Sequence, residues 1–246
     1  MKRTVVKAGM GRLAASALAL TLAAIPALAG DRALIDYIGY SPDAKYFAFE
    51  EFGVQDGSGF PYATVYVVDL DSDQWVGGSP FRVVLEDEAA SVEDARNEAY
   101  TVADGALSEF ETNLPHMILA LNGDGDARTG EGHSIAFGQP GYGLSEMPES
   151  QTLKLDLVAT PPSADCAIID NKTFGFALSL DGKAIHADGA KLPASRGCPM
   201  GYKIYAVLQP ADWSMTEGGT LAVVSTYPFG FEGPDRRFLV VPLALD

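Results

Sequence analysis

The chain has 246 residues, with 33 acidic against 17 basic side chains and a formal net charge of −16. Such a field repels phosphate polymers and anionic lipid surfaces, so it argues against a nucleic-acid or peripheral membrane role and leaves cationic partners open. The length suits about one domain with a sizeable single core.

The chain begins with Lys2, Arg3, Lys7 and Arg12, followed by an apolar run from Leu13 that ends at Ala27-Leu28-Ala29, an A-x-A site before Gly30. This is the pattern of a cleaved secretory signal peptide. The run is about 17 residues and rich in Ala, at the lower limit for a bilayer-spanning helix. Residues 1–29 therefore read as a signal and residues 30–246 as a single secreted β domain, with no stable membrane insertion after cleavage. No Cys lies near the cut to be acylated. The signal carries four of the 17 basic residues and none of the 33 acidic ones, so the mature chain keeps 13 against 33, a formal −20.

Period-two and β-rich runs follow at Leu34 to Tyr40, Tyr46 to Phe52, Tyr62 to Leu70 and Phe81 to Leu85. Further on they recur at Met117 to Leu121, Ser134 to Phe137, Thr152 to Val158, Phe174 to Leu180, Tyr202 to Leu208, Thr220 to Tyr227 and Phe238 to Leu243. Turn clusters such as Ser41-Pro42-Asp43 and Asp56-Gly57-Ser58-Gly59 separate them. The expected class is all-β and mainly antiparallel, a β-sandwich in preference to a propeller-like arrangement. One segment breaks the pattern. Leu85, Ala89, Val92, Ala95, Ala99 and Val102 recur at helical spacing, with Glu86, Asp87 and Glu88 in the first turn and Gly105 after the last, which predicts an amphipathic packing helix. The glycine-rich stretch from Gly138 to Ser150 reads as a mobile loop.

The residues Tyr40-Ser41-Pro42-Asp43-Ala44-Lys45-Tyr46-Phe47-Ala48-Phe49, with Val65-Tyr66-Val67-Val68-Asp69-Leu70, resemble one blade of the propeller repeats in the periplasmic Tol system and in prolyl oligopeptidases. Ala44 stands where that turn usually has Gly. A propeller needs four or more such blades, and only Ser179-Leu180-Asp181-Gly182-Lys183 offers a second, faint copy. Over the whole mature chain, Tyr40 to Asp43, Phe49 to Pro61, Leu192 to Pro199 and Gly230 to Phe238 are similar to the predicted secreted protein family called domain of unknown function 2259. That resemblance implies an exported bacterial protein and supplies no activity.

Candidate chemistry is sparse. Asn122-Gly123-Asp124-Gly125-Asp126 sets three oxygen-bearing side chains at alternate positions, so Asn122, Asp124 and Asp126 form a weak Ca²⁺ candidate. Ala127 and His133 depart from a helix-loop-helix calcium site, and any hairpin turn has the same composition. Glu50 and Glu51 are strand neighbours that point to opposite faces and cannot converge on one bond, which suggests an edge or strand-end place. His116, His133 and His186 are too scattered for a local metal motif, no Ser lies in a G-x-S-x-G elbow, and no catalytic residue is assigned. Cys166 and Cys198, with no C-x-x-C and no adjacent His, read as one structural disulfide in an oxidising compartment. The most suggestive segments hold Phe60 and Tyr62, and Phe229, Phe231, Arg236 and Arg237. Aromatics, glycines and paired guanidiniums build ligand mouths, although the two arginines could equally neutralise Glu232 and Asp235. The expectation is a periplasmic or secreted, non-catalytic binding module without cofactor, whose partner is an envelope protein or glycan. The alternative is a metal-assisted hydrolase that gathers carboxylates from separate loops.

Overall fold

The first hairpin is set by its turn chemistry. Ser41 Oγ donates to Asp43 Oδ1 at 2.7 Å and accepts the Tyr46 N–H at 3.0 Å, and the Ala44 N–H closes the turn on Ser41 O at 2.9 Å. Ala44 takes the left-handed conformation, φ 55°, that a glycine would adopt without strain, and the turn closes with Ala in that place. The computed structural model describes residues 30–123, 132–138, 150–169, 171–211 and 218–243.

Three antiparallel sheets, none of them closed into a barrel, make up the described residues. The first holds β1 (Leu34–Tyr40), β2 (Tyr46–Val54), β3 (Pro61–Asp69), β4 (Gln74–Trp75) and β5 (Phe81–Val84), in the order β1-β2-β3-β4 with β5 also on β3. Then come the helix α1 (Val92–Glu109), β6 (His116–Leu121), β7 (Ser134–Phe137) and β8 (Gln151–Thr160). The chain ends with β9 (Thr173–Leu180), β10 (Lys183–Ala187), β11 (Pro199–Pro210), β12 (Leu221–Pro228) and β13 (Arg237–Pro242). The second sheet runs β10-β9-β8-β7 and the third β13-β12-β11-β6.

Side-chain alternation decides how these sheets stack. Along β12, Leu221 and Val223 pack with Tyr40, Phe47 and Phe49 of the first sheet, whereas Ala222 and Val224 pack with Leu153, Phe176 and Leu178 of the second. The third sheet is thus the middle layer of a sandwich, covered on both faces, and β12 accordingly is buried at every residue from Leu221 to Thr226. The outer face of the first sheet, through Ala63, Val65 and Val83, takes Ala95, Ala99 and Ala103 of α1. The sheets stack in layers, as expected for a sandwich, and nothing in the fold confirms the propeller-blade resemblance of the β1 to β4 segment.

The helix differs from its expected span. It starts at N-cap Ser91, which forms a reciprocal capping box with Asp94, and runs through Gly105 to Glu109. Asp87 instead folds the preceding residues into a turn by accepting the Ala89 N–H at 2.8 Å, which ends the helical reading of Leu85 to Ala90. Val102, expected on the buried stripe, is 54% exposed. Glu50 and Glu51 also depart from expectation. Both lie mid-strand in β2, between β1 and β3, at 0% and 1% exposure. Their opposite facing holds: Glu50 Oε2 accepts Arg96 of α1 at 2.9 Å, while Glu51 turns inward to Tyr66 and the Phe238 amide. Each carboxylate is tolerated inside because a donor meets it.

The sulfurs of Cys166 and Cys198 stand at disulfide distance, 2.10 Å, and tie the short 3₁₀ turn Cys166–Ile168 to the start of β11. Residues 139–149, the greater part of the stretch expected as a mobile loop, lie outside the described residues, as do Asp124 and Asp126 of the calcium candidate.

Candidate functional site

The sequence segments around Phe60 and around Phe229 to Arg237, far apart in the chain, meet at one end of the sandwich. The Glu232 N–H donates to Asp56 Oδ2 at 3.2 Å, and the Arg237 guanidinium lies 5.3 Å from the centre of the Tyr62 ring. Their shared anchor is Asp31. Its Oδ1 accepts the Tyr62 hydroxyl at 2.7 Å, its Oδ2 accepts Arg237 Nη2 at 2.6 Å, and its own N–H donates to Asp235 Oδ1 at 2.9 Å. Arg236 is 5% exposed, and its guanidinium donates from Nε and Nη2 to Ala33 O at 3.0 and 2.7 Å. Tyr62 and Arg236 are therefore inside, bracing the start of the folded chain, and Arg237 is held by Asp31 more closely than by Asp235, at 3.8 Å. The aromatics at the loop tip face solvent: Phe229 is 44% and Phe231 85% exposed, with Phe60 half-buried.

Glu51 adjoins this network. Burial pushes its carboxyl from the usual range up to about 7, against the opposing pull of the Phe238 N–H, Arg237 and the Tyr66 hydroxyl. Asn122, from the calcium candidate, donates from its amide nitrogen to Ile204 O at 3.1 Å and Ser134 O at 3.3 Å, a bracing role between β11 and β7. Among the described residues no three His, Cys, Asp or Glu side chains are grouped to hold a metal ion.

A second place has more room. A cavity of about 610 Å³ opens beside β13, walled by Phe49, Val68 and Trp75 of the first sheet and by His186 and Arg196 from beyond β9. Residues Phe238 to Val241 of β13 form its floor. A neighbouring hollow of about 470 Å³ flanks the disulfide and shares Lys191 and Pro193 as a common wall. Trp75, in the wall of the larger cavity, is 41% exposed.

The polar side of the cavity is organised around Asp188. The His186 ring stacks on Phe176 with centroids 4.8 Å apart, and its Nε2 lies 3.4 Å from Asp188 Oδ1 without hydrogen-bond geometry. His186 Nδ1 is 4.0 Å from Asp73 Oδ2, and Arg196 Nη2 is 3.3 Å from Asp188 Oδ1. Burial pushes the Asp188 carboxyl up, but His186, Arg196 and the Phe176 N–H together outweigh it and hold it below the usual range. For Asp73 the balance goes the other way, and burial raises it.

Backbone geometry singles out β13 in this cavity. In an antiparallel ladder, alternate residues turn their amide groups away from the partner strand. The even-numbered residues do so here. The Arg236 N–H donates to Asp31 O at 2.8 Å, Arg236 O accepts the Ala33 N–H at 3.3 Å, and the Phe238 N–H donates to Glu51 Oε1. Val240 is the next outward residue, and no strand among the described residues pairs with β13 on that side. Pro242, without an N–H, closes the edge.

Sequence reasoning placed no function at this cavity. His186-Ala187-Asp188 was visible as a short polar triplet, but Asp73, Trp75 and Arg196 join it only through the stacking of the sheets. The fold and site define a layered β protein with an edge-strand groove and no local metal or nucleophile signature among the described residues. A family model described as predicted secreted protein, domain of unknown function 2259, matches residues 48–244, and the chain belongs to that family. No curated protein and no solved structure matches it.

Proposed function

We propose that this is an exported, non-catalytic binding module of the bacterial periplasm or exterior, processed between Ala29 and Gly30, whose ligand lies in the groove beside β13. The observation that carries the reading is a cavity of about 610 Å³ whose floor is a strand edge with no partner strand among the described residues and whose walls combine the exposed Trp75 with His186 and Arg196. Ligands are held in concave sites where a few polar groups converge beside apolar walls, and here Asp73, His186, Asp188 and Arg196 face Phe49, Val68 and Trp75. Phe229 and Phe231, on the loop between β12 and β13, offer a second partner contact. Membership in a family of predicted secreted proteins agrees with export.

The test is capture from an envelope extract by the folded wild type, Trp75→Ala and His186→Ala, with circular dichroism to check each fold. A defined envelope protein or glycan retained by the wild type and lost by both variants is the expected result. Equal capture by all three would remove the groove from consideration. A hydrolase with carboxylates gathered from separate loops is the second reading, favoured by Asp73 and Asp188 meeting at His186 from distant parts of the chain. Turnover of an ester, phosphate, peptide or glycoside that is lost in His186→Ala or with chelator would replace the binding reading with this one.

A further inference from the structure

We propose that the occupant of the groove is an extended peptide segment of another protein, which adds as a further strand to the free edge of β13 and places a carboxylate against Lys191. The inference rests on the binding reading above and names the partner class that reading leaves open.

Strand addition needs an accessible edge whose amide groups point into a space as long as a few residues. Residues Phe238 to Val241 line the cavity and span about 13 Å at the usual strand rise. Val240 turns both its N–H and its carbonyl outward by the parity that Arg236 and Phe238 establish. The edge already accepts backbone: residues 31–33 of the same chain bridge to Arg236 in parallel fashion, one step earlier on the same side. That segment then leaves to become β1, and the Glu51 carboxylate takes the Phe238 N–H, so the edge becomes available only at Val240. An incoming strand there would hydrogen-bond to both Val240 groups.

The walls provide for side chains as well as backbone. Successive residues of a strand point to opposite faces, so alternate side chains would meet Phe49, Val68 and Trp75 on one side and the His186 and Ala187 segment on the other. Charge selects the end group. In a chain with 33 acidic and 17 basic residues, this groove gathers Arg196, His186 and Lys191 against Asp73 and Asp188. Asp188 engages Arg196 and His186, whereas Lys191 is exposed and forms no ion pair among the described residues. A ligand carboxylate has that ammonium to meet. A polyanion is poorly suited, because both Asp73 and Asp188 line the same space and the surrounding field is negative.

The probe is a hexapeptide, Val-Thr-Val-Thr-Val-Asp, with an N-terminal dye and an amidated C-terminus, titrated by fluorescence anisotropy. Saturable binding is expected, weakened at least tenfold by methylation of alternate backbone amides on the peptide, by Lys191→Glu, and by Asp→Lys in the peptide. Charge reversal on both sides, Lys191→Glu with the Lys peptide, should restore it. Val240→Pro should abolish binding with an unchanged far-ultraviolet spectrum, since its N–H points away from β12. The amide-methylated peptide keeps the protein intact, so it tests strand addition even where Val240→Pro fails to fold. Absence of saturable binding overturns the proposal. So does binding indifferent to amide methylation, which would leave the groove as a site for side chains or small ligands and the binding reading intact. Self-association of the protein that vanishes in Val240→Pro would assign the edge to a second copy and overturn the heterologous partner.

Discussion

Glu51 makes stability depend on pH in a direction that can be worked out in advance. Its carboxyl is buried and sits at about 7 in the folded protein against an ordinary value of 4.5. The fold therefore holds the proton more tightly than the unfolded chain does. The stabilisation is complete below about pH 4.5 and is lost as pH rises through about 7. At about 1.4 kcal/mol per unit, the difference amounts to about 3 kcal/mol between the two ends of that window. Glu51→Gln removes the titration while keeping one carbonyl acceptor for the Phe238 N–H or the Tyr66 hydroxyl. One poorer hydrogen bond costs about 1 kcal/mol, so the variant should exceed the wild type by about 2 kcal/mol at pH 8 and match or fall slightly below it at pH 5. Urea unfolding of both proteins across pH 5 to 8 measures this, and the difference between them cancels every other titrating group. Parallel profiles, or a variant less stable at pH 8, would refute the reasoning and mean that Glu51 is an anion held by Arg237 throughout.

Further outcomes follow from other buried features. Arg96→Ala leaves the fully buried Glu50 facing Asp36 without its cation, and should cost about 3 kcal/mol; adding Glu50→Gln should recover most of the loss in the same urea assay. Replacing Cys166 and Cys198 by Ala opens a link across 32 residues and should lower stability by about 3 to 4 kcal/mol, measured by chemical unfolding in the absence of reductant. Gly39 has φ 149°, and a Cβ there would stand 2.6 Å from Leu114 O. Gly39→Ala should cost about 2 kcal/mol or more and shift the melting temperature accordingly, because it strains the backbone and displaces the Tyr40 to Leu114 bridge.

The layered β fold was legible because its strands carry period-two alternation or continuous β-branched runs, and the long strands were placed within a residue or two of where they stand, except β11, which starts three residues earlier than expected, at Pro199. The misses have local causes. Gln74–Trp75 is a two-residue strand after a run of polar turn residues, too short for any period to register. Lys183–Ala187 has one strong strand former, Ile185, among Ala, Lys and His, and is held in place by the tight turn at Asp181-Gly182 and its pairing with β9. The helix start moved because Ser91 and Asp94 cap it, a signal that the apolar spacing from Leu85 concealed. Glu50 and Glu51 looked like strand-end residues since nothing in the sequence announces that Arg96, Tyr66 and the Phe238 amide will meet them. The same holds for the groove, whose residues come from three separate sheets and share no spacing.

The middle sheet has a temporal consequence. Apart from β6, it consists of the last three strands of the chain, yet Tyr40, Phe47 and Phe49 depend on them for cover. A polypeptide emerging from its N-terminus carries that aromatic surface bare until residues beyond 200 arrive and lacks its full cover until Val240. Consolidation is then delayed to the end of synthesis or transport and requires long-range closure, a slow route on which a holding chaperone would protect the waiting half from association.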